Sequence, residues 1–516
     1  MGRHRTLTTL ASQPCALAAA ILALCVAYGR AAPPDDPGLG PDDRKTLSRY
    51  ARDTWRSFEA MALPSGLPAD ALCRDEDGVW RPTEKTMPTD IAAYLWSTLA
   101  AEALQIIEPA EAYRRLDRTL ATLAGMERTH GFFFDNLDPR TGATLRTAPE
   151  SGRPIHPLLS AVDNGWLATA LIMIRNTRPA LRERAEALLK PMDFGFFYAP
   201  YDPAAPGAHP GLLHGSYQVE DQTFGPLHQV VNIEPRIVSY IGIARGQLPP
   251  EHYYRVFRTL PPDRPQQQQI PEGEWRTYRG VSVFEGHYTY RGMRIVPSWG
   301  GSMFEALMVP LFVPEARWAP RSWGINHPLY VRAQIEHGLD VRLYGFWGFS
   351  PASKPEGGYR PYGVDALGTD PEGYHSHNPG PKDGAEPPTG PLPNGVVTPH
   401  ASFLALPFAP REAMANLRAL EGRFPTLYTR YGFRDSVNLS TGRVSDCVLA
   451  LDQGMIMAAI ANALADNVMQ HAFSDGLIEE AIRPLIAPEE FTAGPPDNAV
   501  SDIHPLESHI GKEKRR

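Results

Sequence analysis

The stretch 90–107, DIAAYLWSTLAAEALQII, constrains the fold more than any other. Ile91, Tyr94, Leu95, Leu99, Ala103 and Ile106 recur at helical spacing, and alanines fill much of the remaining surface. A helix that is apolar nearly all round has to be surrounded by protein. Thr89 or Asp90 stands where its N-cap belongs. The spacing predicts further helices over 44–63, 109–126, 163–176, 179–189, 234–244, 250–259, 302–311, 320–337, 410–420, 453–467 and 477–485. They arrive in successive pairs joined by Pro- and Gly-rich connections. The expected fold is therefore all-α, an (α/α)6 toroid of six helical hairpins. Three connections, 199–228, 261–299 and 347–400, are longer than ordinary loops and are expected as long rim loops. Aromatic and β-branched residues over 283–296 predict a small β-hairpin. The chain's 52 prolines are about twice the usual share of roughly 5%. Many fall in 199–210, 261–271 and 351–399, where they would stiffen rim loops.

The first residues read as an address. Arg3 and Arg5 precede an apolar run over 16–28, and Gly29 to Pro33 follows with small residues. This is the pattern of a cleaved secretory signal, assigned to 1–32, and it is short for a membrane span. The length alone, at about 150 residues per domain, suggests roughly three domains, but no domain linker stands out. The formal charge is −8, and loss of 1–32 with its three arginines and no acid makes it −11. That balance excludes a general nucleic-acid binder, and no later segment suits stable membrane insertion. The expected location is periplasmic or secreted. Cys15 and Cys25 leave with the signal, so Cys73 and Cys447 remain. They are free to pair in an oxidising compartment, but two inert buried thiols are the favoured reading. No CxxC or clustered Cys/His pattern points to a metal, and no cofactor is expected.

The chemistry gathers where carboxylates meet aromatics and glycines at helix ends. The segments are GFFFDNLD (131–138), DNGW (163–166), Glu220-Asp221 with the helix opening at Glu234, WGGSMFE (299–305), and YGFRD (431–435) through DQG (452–454). Aromatic faces stack on sugar rings, and glycoside hydrolysis needs two carboxyl groups across the scissile bond. Each residue also has a plainer reading. Glu234 would pair with Arg236 or Arg245, Asp435 with Arg434, and Glu305 and Asp452 would cap helices. His156, His214 and His228 read as hydrogen-bonded histidines.

Longer motifs carry a resemblance. Residues 90–145 resemble the N-terminal half of bacterial glucoamylase-like proteins. WGGSMFEALM (299–308), WGFSPA (347–352), YGVDALG (362–368), VTPHASFLAL (397–406), YGFRDSVN (431–438) and LALDQGMI (449–456) are similar to that family's barrel motifs. Within the group the chain looks nearest to the β-1,2-glucanases of glycoside hydrolase family 144. The resemblance implies one (α/α)6 catalytic domain over 45–488, with 489–516 as a tail, and an exported endo-β-1,2-glucanase with a β-glucan substrate. It implies Glu234 of the Glu-x-Arg-Ile segment as general acid and Asp435 of the Tyr-Gly-Phe-x-Asp segment as general base of an inverting reaction. Asp163, Trp166, Trp299, Glu305, Trp347 and Asp452 would line the sugar cleft. Pro235 is unusual beside such an acid. A helix start also favours the ionised form, so apolar enclosure by Phe224, Ile233 or Tyr198 would have to raise the Glu234 pKa. The alternatives are a retaining hydrolase or transglycosylase using Glu234 and Glu305, and a non-catalytic periplasmic glucan-binding protein. The last requires Glu234 and Asp435 not to share a cleft.

Overall fold

The computed structural model describes residues 38–264, 267–373, 390–391 and 395–495. The expected signal segment 1–32 lies outside them, as does the chain beyond 495. Fifteen α-helices are present among the described residues: α1 Pro41–Met61, α2 Pro88–Ala103, α3 Pro109–Gly125, α4 Ala161–Thr177, α5 Arg182–Leu189, α6 Arg236–Ala244, α7 Glu251–Arg255, α8 Met303–Leu307, α9 Glu315–Trp318, α10 Trp323–Glu336, α11 Pro399–Leu404, α12 Pro410–Arg423, α13 Ala450–Leu464, α14 Val468–Ser474 and α15 Leu477–Ile486.

Six of them form an inner ring. Residues 88–101 of α2 are all buried, as are all of α6 and α11. Helix α13 packs on α2, α2 on α4, α4 on α6, α8 on α11, and α11 on α13. The gap between α6 and α8 is closed by Arg236, which donates to the carbonyls of Ala306 (2.8 Å) and Glu305 (3.3 Å). Outer helices bury one stripe. In α3 it is Ala112, Leu116, Thr119, Leu120 and Leu123, at the spacing of one helical face. The toroid expected from pairing is the observed architecture.

Two inner helices share a local pattern with a packing cause. Asp163-Asn164-Gly165 opens α4, and Asp452-Gln453-Gly454 opens α13. A Cβ on Gly165 would lie 2.6 Å from the Val238 side chain of α6, and one on Gly454 would lie 2.7 Å from Ala93 of α2. The glycines let neighbouring inner helices touch.

Strands β1 Ala71–Arg74 and β2 Trp80–Pro82 lie between the first two helices, and β3 Glu272–Tyr278, β4 Val281–Tyr290 and β5 Met293–Ile295 form a rim sheet. Later come the two-residue strands β6 Ala352–Ser353 and β7 Tyr359–Arg360, and β8 Cys447–Leu449. The rim sheet is larger than the hairpin expected over 283–296. Strand β3, EGEWRTY, has no apolar face and is mostly exposed, so it gives no alternation to detect. Residues 489–495 belong to the fold rather than to a tail. Glu489 is fully buried and accepts from Tyr253 Oη (2.6 Å) and Arg258, while the Arg294 amide donates to the Gly494 carbonyl (2.9 Å).

Strand β8 pairs antiparallel with β1, placing Cys73 opposite Cys447, and the two are joined in a disulfide. This corrects the expectation of two separate thiols. The cysteines lie 374 residues apart, and only the closure of the ring brings them together. Among the described residues no helix is long and apolar enough to cross a membrane.

Candidate active site

The inner helices present their N-termini to one space, and each brings a titratable side chain. Asp90, Asp163, Glu305 and Asp452 are the third residues of α2, α4, α8 and α13. Glu234 precedes α6 by two residues, and His400 is the second residue of α11. The third helical position is where an acid reaches back to the cap. Asp90 Oδ2 accepts from the Met87 amide (3.0 Å), and Glu305 Oε2 from the Ser302 amide (3.2 Å). The charges feel one another around the ring: Asp163 and Glu305 act on Glu234, Asp163 on Asp90, and Asp90 on Asp452.

Glu234 is partly buried, and its carboxyl forms no ion pair with the two arginines nearby in sequence. Arg236 turns away to Glu315 (2.7 and 2.9 Å), and Arg245 donates to the carbonyls of Met192 and Leu189. Burial, then the Glu305 charge, pushes Glu234 up to about 8, against smaller downward pulls from its own backbone and Arg236. Desolvation thus overrides the helix start. Phe224 is not part of this enclosure by its ring contacts. It is exposed and packs on Phe196, His214 and Tyr217. Pro235 is accommodated with helical dihedrals, φ −57° and ψ −14°.

Arg236 holds the site together. Beyond Ala306 and Glu305 it donates to the Ile233 carbonyl (3.0 Å), so one guanidinium ties the Glu234 segment to the Glu305 helix. Its partner Glu315 also accepts from Tyr240 Oη (2.7 Å) and lies 3.0 Å from His327 Nε2. Burial alone would raise Glu315; the Arg236 charge, with Arg236 and His327 hydrogen bonds, brings it down to about 2.

Asp435 is 2% exposed. Its Oδ1 accepts from the Leu449 amide of β8 (3.0 Å) and its Oδ2 from the Ser353 amide of β6 (3.3 Å). Burial pushes it up to about 7 despite those amides and Arg434, whose guanidinium pairs with Asp446. Asp452 lies 3.2 Å from His400 Nδ1. Burial, then Asp435 and Asp90, pushes Asp452 well above the usual range, and burial takes His400 down to about 3. Burial thus disfavours the charged form of both groups.

The remaining sequence candidates separate into two groups. Asp163 accepts from Thr89 Oγ1 and neighbours Glu234. Trp299 is exposed next to Gly300, whose amide holds Glu305. Trp166 and Trp347, expected to line the cleft, are 1% and 2% exposed core residues. Trp166 packs on Trp96 and Phe312, and the Trp347 backbone is fixed by Asn416. Neither has a face for a sugar. Glu305 is buried, with its carboxylate taken up by Ser298 Oγ (2.7 Å) and the amides of Gly300 and Ser302.

Sequence reasoning missed two residues here. Asp135, within the GFFFD segment, has a buried Oδ1 with no hydrogen-bond partner, and burial, then Asp163 and Asp90, raises its carboxyl well above the usual range. Tyr359 lies in a rim loop whose path no periodicity announces. Its phenol feels the charges of Asp452, Glu234, Glu305 and Asp435 together, so all four lie in its neighbourhood. Among the described residues no group of three or more His, Cys, Asp or Glu is placed to hold a metal ion.

Residues 260–475 match a family described as putative glucoamylase, and residues 49–195 match a family of unknown function, DUF3131. The matched part of the chain is thus similar to that glucoamylase family. The chain is 30% identical to the cyclic β-(1,2)-glucan synthase NdvB of Rhizobium meliloti (strain 1021), over 84% of the chain but only 18% of that protein. Its fold is that of a putative glucoamylase from Bacteroides uniformis (TM-score 0.61, 17% identity, 87% of this chain and 97% of that one). It is also that of an endo-β-1,2-glucanase from Chitinophaga pinensis, solved with sophorotriose and glucose (0.60, 15%, 86% and 98%). A third such fold is the endo-β-1,2-glucanase from Talaromyces funiculosus, solved with sophorose (0.59, 14%, 89% and 94%).

Proposed function

We propose that the protein is an exported glycoside hydrolase that cleaves β-glucan, most specifically an endo-β-1,2-glucanase acting with inversion. The observation that carries this reading is the raised pKa of Glu234, with the raised Asp435 close enough that both act on the Tyr359 phenol. With a pKa near 8, Glu234 keeps its proton at neutral pH and delivers it to the leaving glycosidic oxygen. With a pKa near 7, Asp435 is ionised just above neutrality and takes a proton from the attacking water. Two carboxyls with raised pKa values close to one phenol favour catalysis over plain binding. The retaining alternative requires Glu305 to attack carbon, and its oxygens are already engaged by a hydroxyl and two amides. The β-1,2 linkage is taken from the named substrates of the similar proteins. The disulfide supports export, since such bonds persist in oxidising compartments.

The test is product analysis. The protein is incubated with linear β-1,2-glucan and other β-glucans, and the released anomer is followed by NMR. Inversion releases the α-anomer first. Absence of hydrolysis or transfer on every β-glucan overturns the reading, and β-anomer first favours the retaining one.

A further inference from the structure

The β6–β7 hairpin is built to hold one aromatic over the acids. Its turn is closed by the Lys354 amide donating to the Gly358 carbonyl (2.8 Å) and the Gly357 amide to the Lys354 carbonyl (3.0 Å). Gly357 and Gly358 take φ of +91° and +81°, which suit glycine. The inner strand is pinned. The Ser353 carbonyl accepts from Ser436 Oγ, the Ser353 hydroxyl from Ser445 Oγ (2.9 Å), and the Ser353 amide donates to Asp435. The register sets Tyr359 directly opposite Ser353. Residues paired across an antiparallel ladder stand on the same face, about 5 Å apart. Tyr359 is therefore mounted one strand away from the amide that fixes the base, yet its side chain is not packed away. It is 61% exposed. Its hydroxyl makes no hydrogen bond to any of the four carboxyls whose charge it feels.

We propose that Tyr359 is a substrate-contacting residue, whose ring packs on a glucosyl unit and whose phenol hydrogen-bonds a sugar hydroxyl above Glu234 and Asp435. This rests on the glucan reading. The exposed ring supplies the apolar face that buried Trp166 and Trp347 do not. The neutral phenol is both donor and acceptor, as a sugar hydroxyl requires. A ring held by a pinned hairpin loses little freedom when sugar covers it.

The experiment measures binding and turnover separately. Glu234→Gln, with and without Tyr359→Ala, is titrated calorimetrically with a β-1,2-linked gluco-oligosaccharide, and wild type is assayed for hydrolysis in parallel. Loss of one aromatic contact and one hydrogen bond weakens binding about tenfold or more. Tyr359→Phe gives an intermediate loss, and Tyr359→Trp retains most of the affinity. The melting temperature stays unchanged, because the side chain is exposed. Equal affinity in both proteins, while wild type hydrolyses glucan, overturns the assignment of Tyr359 alone. No binding by either protein and no hydrolysis by wild type overturns it together with the glucan reading.

Discussion

Arg236 and Glu315 make a buried pair on which both carboxylate-bearing segments hang, and Arg236→Met tests that arrangement. The folded protein holds Glu315 near 2 instead of 4.5. At about 1.4 kcal/mol per pKa unit this corresponds to about 3 kcal/mol of stability. Removing one partner of a buried pair, which strands the other charge, costs about 3–5 kcal/mol. Unfolding entropy of about 2.1 cal/mol/K per residue, over a domain of about 450 residues, is about 0.95 kcal/mol/K. The expected fall in melting temperature is therefore about 3–5 °C near pH 7. In wild type the Glu315 contribution is present above its unfolded value and is lost as pH falls through 2. In Arg236→Met the sign reverses. The buried carboxyl lacks its counter-charge and is raised above 4.5, so the variant's deficit shrinks below about pH 4.5 and grows as pH rises. Thermal melts by near-UV circular dichroism at pH 4 and pH 7 read both effects. The double variant Arg236→Met/Glu315→Gln removes the stranded charge and melts above Arg236→Met at pH 7. A single-variant shift below 1 °C, or losses that add in the double variant, refutes the argument.

Further outcomes follow from the site. Glu234→Gln lowers kcat on glucan about 10²–10⁴-fold, while a substrate with an acidic aryl leaving group, which needs no proton, recovers much of the rate. Hydrolysis by wild type follows a bell-shaped pH profile, read as initial rates. It rises as Asp435 ionises near 7 and falls as Glu234 ionises near 8. A shift of the alkaline limb by Glu305→Gln, downward because a neighbouring negative charge is lost, checks its assignment to Glu234. Replacing Cys73 and Cys447 by serine lowers stability by about 2–5 kcal/mol, measured as a melting shift that reductant reproduces in wild type.

The toroid was legible because its inner helices are apolar on every side and its outer ones on one. Much of the acid ring was legible too, since Asp163, Glu305 and Asp452 announce themselves as helix-start acids. What single-residue reading could not supply was facing. Trp166 and Trp347 have the composition of a sugar platform, but helix rotation puts the first in the core, as does the path of an irregular segment pinned by Asn416 for the second. The Cys73–Cys447 bond depends on closure of a ring across 374 residues, which no local spacing encodes. Asp135 sits on irregular backbone and Tyr359 on a two-residue strand, too short for period 2 or period 3.6 to assign a face. Arg236 was read as a possible partner of Glu234 because sequence adjacency hides the bend that sends it to Glu315.

An acid at the third position of a helix stabilises the helix whether or not it takes part in any reaction. Four of the six inner helices already carry one there, all opening on one space. The architecture thus offers several equivalent seats for a proton donor, each maintained by folding alone. Which acid works is set by its surroundings: Glu234, two residues ahead of its helix, has no ion pair, whereas the Glu305 carboxylate is taken up by a hydroxyl and two amides. Moving the chemistry around the ring then requires re-dressing the surroundings of an existing carboxyl, and leaves the helices that carry it intact.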